Sequence, residues 1–273
     1  MTTAQKIIKY LALCLAAFLI FSIISSIFGV MYSFGNIFGL HTKNEIIKDK
    51  MNTINFESSD INSLEIEVVF TNLIIKKGDL LQAETDNENI NFNQNNKIVQ
   101  IKEKEHTWFV DNNKGDLVVY IPENISFDTV KIKAGAGKIQ IENIDTRKLS
   151  LELGAGETSI QKLNVLEKCK IESGAGKVSI LNGHINELDL DLGVGKFSMT
   201  SAIKGNSKIN AGIGSLELNV LGSKNDYVIK ANKGIGNILI DGLNVSDNYT
   251  YGNGEDTLNI EGGIGSINVN FIE

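Results

Sequence analysis

Through most of the chain apolar residues return at every second position, in short runs broken by glycine. Leu149, Leu151 and Leu153 alternate with polar residues before Gly154, and Leu188, Leu190 and Leu192 do the same before Gly193. A period of two marks half-buried strands, not helices. Between the runs a glycine pair recurs: Gly135-Ala136-Gly137, Gly154-Ala155-Gly156, Gly174-Ala175-Gly176, Gly193-Val194-Gly195, Gly212-Ile213-Gly214, Gly234-Ile235-Gly236 and Gly263-Ile264-Gly265. Its first glycines stand 19, 20, 19, 19, 22 and 29 residues apart. A near-constant spacing of this size is the mark of stacked repeats, each unable to bury its apolar face alone.

The residue between the glycines (Ala, Ala, Ala, Val, Ile, Ile, Ile) continues the phase of the preceding run, so it is expected to face the interior and stack on its counterparts. The next apolar positions, Ile139 and Ile141, Val178 and Ile180, Leu216 and Leu218, lie three residues beyond that slot. Such a slip turns every following side chain to the other face unless the backbone turns a corner, which glycine permits. Each repeat then reads as strand, glycine corner, strand and polar return, and successive turns pair as parallel strands at ~4.8 Å. Exposure of Ala136, Val194 or Ile264 to water would break this scheme. The predicted fold is all-β, a single-stranded parallel β-helix, right-handed because parallel crossovers are, and roughly 45 Å long at that strand spacing.

Two or three less regular turns are expected between Leu64 and Val130. Leu64–Lys77 keeps the rhythm with Phe70-Thr71-Asn72 in place of the glycine pair. Residues 84–116, rich in Asn and Lys, break it and read as an excursion or the end cap that terminal repeats need, with Trp108-Phe109 plugging the stack or, alternatively, contacting a partner or glycan.

Ahead of the repeats, Tyr10–Val30 is nearly all apolar and long enough for the ~20 helical residues that cross a bilayer. It is too long for a cleaved signal peptide. The expected layout is a cytoplasmic tail (1–9), one transmembrane α-helix (10–30), a juxtamembrane spacer (31–60) and an extracytoplasmic β-helix (61–273) in the cell membrane. Lysines on both sides of the segment leave orientation to the usual layout of a signal anchor.

The formal charge of −7 divides unevenly: residues 1–50 carry five lysines against Glu45 and Asp49, a net +3, leaving −10 for the remainder. An acidic domain repels phosphate backbones, which argues against nucleic-acid binding. Cys14 and Cys169 are the two cysteines, so the aqueous part holds one thiol and no internal disulfide. Cys169 falls in the slot matched by Leu149 and Leu188 and reads as a small core residue. His41, His106 and His184 are far apart and fit no zinc or nucleophile spacing.

The GAGK-type corners followed by short Ile, Val and Leu strands, the Tyr120-Ile121-Pro122 before them and the single N-terminal apolar segment resemble a bacterial putative-adhesin family of unknown function, over about residues 60–273. The resemblance implies a membrane-attached or exported β-helix, a role in envelope stress for some members, and no catalytic residues to carry over.

The glycine pairs lack the third glycine of a dinucleotide fingerprint and lead into strands. Gly262-Gly263-Ile264-Gly265 resembles the start of a calcium nonapeptide, but Ser266 and Ile267 stand where Asp is needed. Two positions before the first glycine stand Lys133, Glu152, Glu172, Asp191, Asn210, Asn232 and Glu261. The Glu152, Glu172, Asp191 ladder reads as a screened surface row, with a divalent cation as the alternative.

No catalytic, cofactor or metal residue is assigned, and no enzyme activity is expected. The sequence reading is a non-enzymatic binding or scaffolding module of the cell envelope, contacting an envelope glycan, another membrane protein or its own copies. An accessory or sensor subunit of an envelope-stress membrane complex and a polysaccharide-active β-helix enzyme are the competing readings.

Overall fold

The computed structural model describes residues 51–57, 61–104 and 115–273. The expected anchor at 10–30, its flanking tail and most of the spacer lie outside them, as do Cys14, His41, His106 and Trp108-Phe109. Among the described residues no helix is long and apolar enough to cross a membrane. Their helical content is a 3-10 turn at Lys224–Asp226, and the remaining regular structure is strand.

The repeats stack as the alternation demands. Strand Leu188–Lys204 lies parallel to Phe127–Ile180 on one side and to Asn206–Asn210 and Ile213–Leu221 on the other. Leu190 sits opposite Ile171 and Ile209, while Gly195 sits opposite Gly176 and Gly214. A return ladder closes the coil, pairing Val165 with Ile185 and Ile185 with Ile203. Register is fixed because a one-residue slip would turn each apolar row to solvent.

Inside the coils, side chains form columns. Ile66, Ile132, Leu151, Ile171, Leu190, Ile209 and Ile260 make one before the corner, and Ile75, Ile141, Ile160, Ile180, Met199, Leu218 and Val269 make one after it, all buried. Each such aliphatic residue contributes about 1.5–3 kcal/mol relative to exposure. Cys169 is buried beside Leu188, in the slot the sequence indicates. Burial pushes its thiol well above the ordinary range, so it stays protonated at neutral pH. Iodoacetamide followed by peptide mass mapping should modify Cys169 only after denaturant unfolds the protein. Full modification of the native protein would contradict this placement.

The glycine corner corrects the sequence reading. Leu153 is the last inward residue before it, Gly154, Ala155, Gly156 and Glu157 are exposed, and Thr158 is the next buried position. The phase slip therefore spans the whole corner, and the residue between the glycines points to solvent. The reason lies in how tightly the corners stack. A Cβ on Gly154 would meet the carbonyl oxygen of Gly135 at 2.1 Å, and one on Gly156 that of Gly137 at 2.0 Å. With adjacent peptides this close, the outside is the side left for a side chain. Stacking of the coils stands on the registers above, but the inward slot does not.

A second difference concerns order. Strands Asp256–Glu261 and Ile264–Ile272 pair with Asn206–Asn210 and Ile213–Leu221 on one side and with Tyr227–Asn232 and Ile235–Ile240 on the other. The last coil in sequence is thus interior, and the one before it is outermost. The other end mirrors this arrangement: Ser63–Val68 and Asn72–Lys77 lie between the run starting at Phe127 and the strands Ile98–Glu103 and Asp116–Ile121. Turns therefore do not simply follow one another in sequence order.

Antiparallel strands then close both ends. Ile90–Asn95 covers Ile98–Glu103, and Gln82–Thr85 covers Asp116–Ile121 and is itself covered by Asn52–Asn55. At the opposite end Tyr249–Tyr251 and Leu243–Asn244 pair with the outermost coil. The segment read as a cap thus supplies cap strands, and strand Asn52–Asn55 with buried Phe56 joins them from within the stretch read as spacer. Covered ends remove the open ladder through which solenoids would polymerise.

Candidate interaction surface

The outward corner residues form a column of their own. Val194 lies opposite Ala175 and Ile213, and Ile264 lies between Ile213 and Ile235. At the other end the offset that pairs Val68 with Ala134 and Leu73 with Ile139 places Phe70 against Ala136. The edge thus reads Phe70, Ala136, Ala155, Ala175, Val194, Ile213, Ile264, Ile235 in space. Its larger members are open to water: Phe70 52%, Val194 45%, Ile213 50%, Ile264 48% and Ile235 73%. Scattered exposed aliphatics are ordinary, but a continuous apolar line is not.

The sequence contains one signal for this placement: the step of three residues from the slot between the glycines to the next buried position, as from Ala155 to Thr158, breaks the alternation that an inward residue would continue.

On one flank lies a charged face. The carboxylates of its expected ladder are each engaged: Glu152 with Lys133 at 2.7 Å, Glu172 with Lys170 at 2.6 Å, and Asp191 with the Asn210 side-chain amide. Hydrogen bonds to these carboxylates hold the Lys133 and Lys170 ammonium groups above their usual range. Among the described residues no cluster of His, Cys, Asp and Glu is placed to hold a metal ion. The row combines exposed ion pairs with a carboxylate–amide hydrogen bond, each of small energetic weight. On the other flank stand Lys138, Glu157, Lys177 and Lys196, then Ser215, Ser266 and Asn237. Lys177 pairs with Glu157 at 3.2 Å. His184 lies apart from the edge, exposed on the return ladder.

Comparison with known proteins gives a family and a set of distant folds. The family model described as Toastrack DUF4097 matches residues 52–256. Solved structures similar to the chain include a putative cell adhesion protein from Clostridium sporogenes, at 17% identity over 82% of this chain and 99% of that one, TM-score 0.35. A putative adhesin from Bacteroides fragilis aligns at 12% identity over 82% and 98%, TM-score 0.37. Another from Parabacteroides distasonis aligns at 15% over 82% and 98%, TM-score 0.40. No curated protein matches the chain.

Proposed function

The chain belongs to the Toastrack DUF4097 family, and from that premise we propose that it is a membrane-anchored, extracytoplasmic β-solenoid serving as a non-enzymatic, adhesin-like binding or scaffolding module of the bacterial cell envelope. The observation that carries this reading is the solvent-facing apolar edge from Phe70 to Ile235, a continuous in-register line, with further exposed aliphatics such as Leu166, Leu181 and Leu243 elsewhere on the surface. The basis differs from the sequence reading, which placed the residues between the glycines in the core. Anchoring is supported by the apolar run Tyr10–Val30.

A photo-crosslinking residue placed at Ile213 or Ile264 in the full-length chain, expressed in cells, should capture a component of the envelope. The same probe at His184, on the return ladder, should capture little. Equal yields at the edge and at His184 would remove the edge as the binding surface.

A further inference from the structure

We propose that the occupant of the apolar edge is the lipid surface itself: the line Val194, Ile213, Ile264 and Ile235 seats in the headgroup–acyl boundary of the bilayer to which the chain is tethered. This deepens the binding-module reading and rests on it.

Shape is the first argument. The edge is one side chain wide, a row of single exposed aliphatics each set between two glycines. Because Val194, Ile213, Ile264 and Ile235 lie in register, a plane can meet all of them at once.

Area is the second. Four aliphatic side chains, exposed between 45% and 73%, fall well short of the ~800 Å² per partner buried in a standard protein interface. A second copy would have to enlist the flanks, where Lys133–Glu152, Lys170–Glu172 and Lys177–Glu157 are already paired. Strand addition by a peptide is opposed by the antiparallel strands that cover the stack ends.

The chain outside the structure is the third. Between the end of the apolar run at Val30 and strand Asn52–Asn55 lie residues 31–51. These residues limit the reach of the solenoid from that run to roughly 75 Å at full extension. Tethering at that distance makes the encounter intramolecular, so a shallow insertion is enough.

Charge is compatible. The domain is acidic overall; on one flank of the large aliphatic end Asp191 and Glu261 accept hydrogen bonds from the Asn210 and Asn232 amides, and on the other stand Ser215, Ser266 and Asn237. Lys196 has no acidic partner among the described residues, and its amine can remain at headgroup level while its stem lies along the edge. Insertion should therefore work in zwitterionic lipid and be insensitive to salt.

The test uses the full-length chain carrying Cys14→Ser, reconstituted in phosphatidylcholine vesicles and bearing an environment-sensitive fluorophore at Ile213→Cys, Ile264→Cys or, as reference, His184→Cys. Nitroxide-labelled lipid should quench the two edge probes severalfold more than the reference, equally in low and high salt. Quenching at Ile213→Cys and Ile264→Cys no greater than at His184→Cys overturns the proposal. Should the edge probes be shielded from aqueous iodide but not quenched by nitroxide lipid, the occupant is protein, and the binding-module reading survives without the lipid. Shielding that grows with the protein-to-lipid ratio assigns the edge to a second copy. Probes open to iodide here, together with no capture in cells, would defeat both readings.

Discussion

Gly195→Ala is expected to abolish the stable fold, costing about 4 kcal/mol or more, the severe extreme for one substitution. A Cβ at Gly195 would lie 1.9 Å from the carbonyl oxygen of Gly176 and 2.9 Å from its carbon. The obstacle is backbone, which cannot swing aside as a side-chain tip could. Nor can the coil rise, since Gly195 is paired on both sides, with Gly176 and Gly214. Its φ of +143° adds a backbone conformation that L side chains rarely adopt. Gly137 separates the two effects. It shares the unusual backbone, with φ at +154°, but faces the Phe70-Thr71 corner, and the nearest atom to its Cβ would be Thr71 O at 3.4 Å. Gly137→Ala should therefore cost only the backbone strain, about 1–3 kcal/mol. Urea unfolding followed by far-ultraviolet circular dichroism measures both. If Gly195→Ala is no less stable than Gly137→Ala, close approach between coils is not what demands glycine.

The same ladder shows why part of the fold was legible in the sequence. Leu149, Leu151 and Leu153 announce a strand because one face must be apolar, and the regular return of Gly154, Gly174 and Gly193 announces stacking because only glycine allows corner peptides to lie over one another. Leu64–Lys77 was readable as a coil from the same alternation, whereas of 84–116 the strand Ile90–Asn95 is a cap and Ile98–Glu103 belongs to the outermost coil. Alternation fails at the corner because a period of two presumes a continuous strand. It put Ala136, Val194 and Ile264 inside, and with them the proposed binding edge. The inward run in fact stops at Leu153 and resumes at Thr158.

Coil order was hidden for another reason. A glycine corner fits any other glycine corner, so pairing preference does not specify which coil lies next. The spacing does carry a trace: returns of 19 or 20 residues join adjacent coils, and the intervals of 22 and 29 fall where the chain steps past a level and back. Longer returns provide the extra backbone. At the other end the step past a level falls at residues 122–126, between Ile121 of the outer coil and Phe127, while the excursion through residues 78–97 joins adjacent coils and supplies cap strands. Placing both terminal coils inside leaves the irregular ones outermost, where antiparallel strands can cover them. Shielded ends leave the long apolar edge as the exposed apolar feature that runs the length of the stack.

How the cap meets the first corner carries the second large expectation: Glu103→Ala should destabilise the protein by about 3 kcal/mol or more. The corner of the coil Ser63–Lys77 has Val69 and Thr71 where glycines stand elsewhere, and among the described residues it is the last such corner at that end of the stack. Its carbonyl side still faces a glycine corner, with Ala136 donating its backbone N–H to Val69 O at 2.7 Å. On the outer side the N–H groups of Val69, Phe70 and Thr71 donate instead to one oxygen of Glu103, at 2.5, 3.0 and 3.2 Å. The carboxylate replaces the carbonyl oxygens that a further coil would supply, forming an anion nest closed by a side chain. Asn87 completes it, donating from Nδ2 to Thr71 Oγ1 at 2.7 Å and to the other Glu103 oxygen at 3.4 Å. Thr71, Asn87 and Glu103 are all buried, so water cannot readily take over. Alanine at 103 would orphan three donors, each costing about 1–3 kcal/mol if left dry, with some of that recovered by rehydration. Glu103→Gln keeps an oxygen in place but loses the charge, and should cost about 1–2 kcal/mol, the difference between charge-assisted and neutral hydrogen bonds. Urea unfolding gives the ranking, and amide exchange locates it: Val69, Phe70 and Thr71 should lose protection while Leu190 and Leu218 keep theirs. Equal stability of the two variants, or unchanged protection at Val69 to Thr71, would show that the corner holds without the carboxylate.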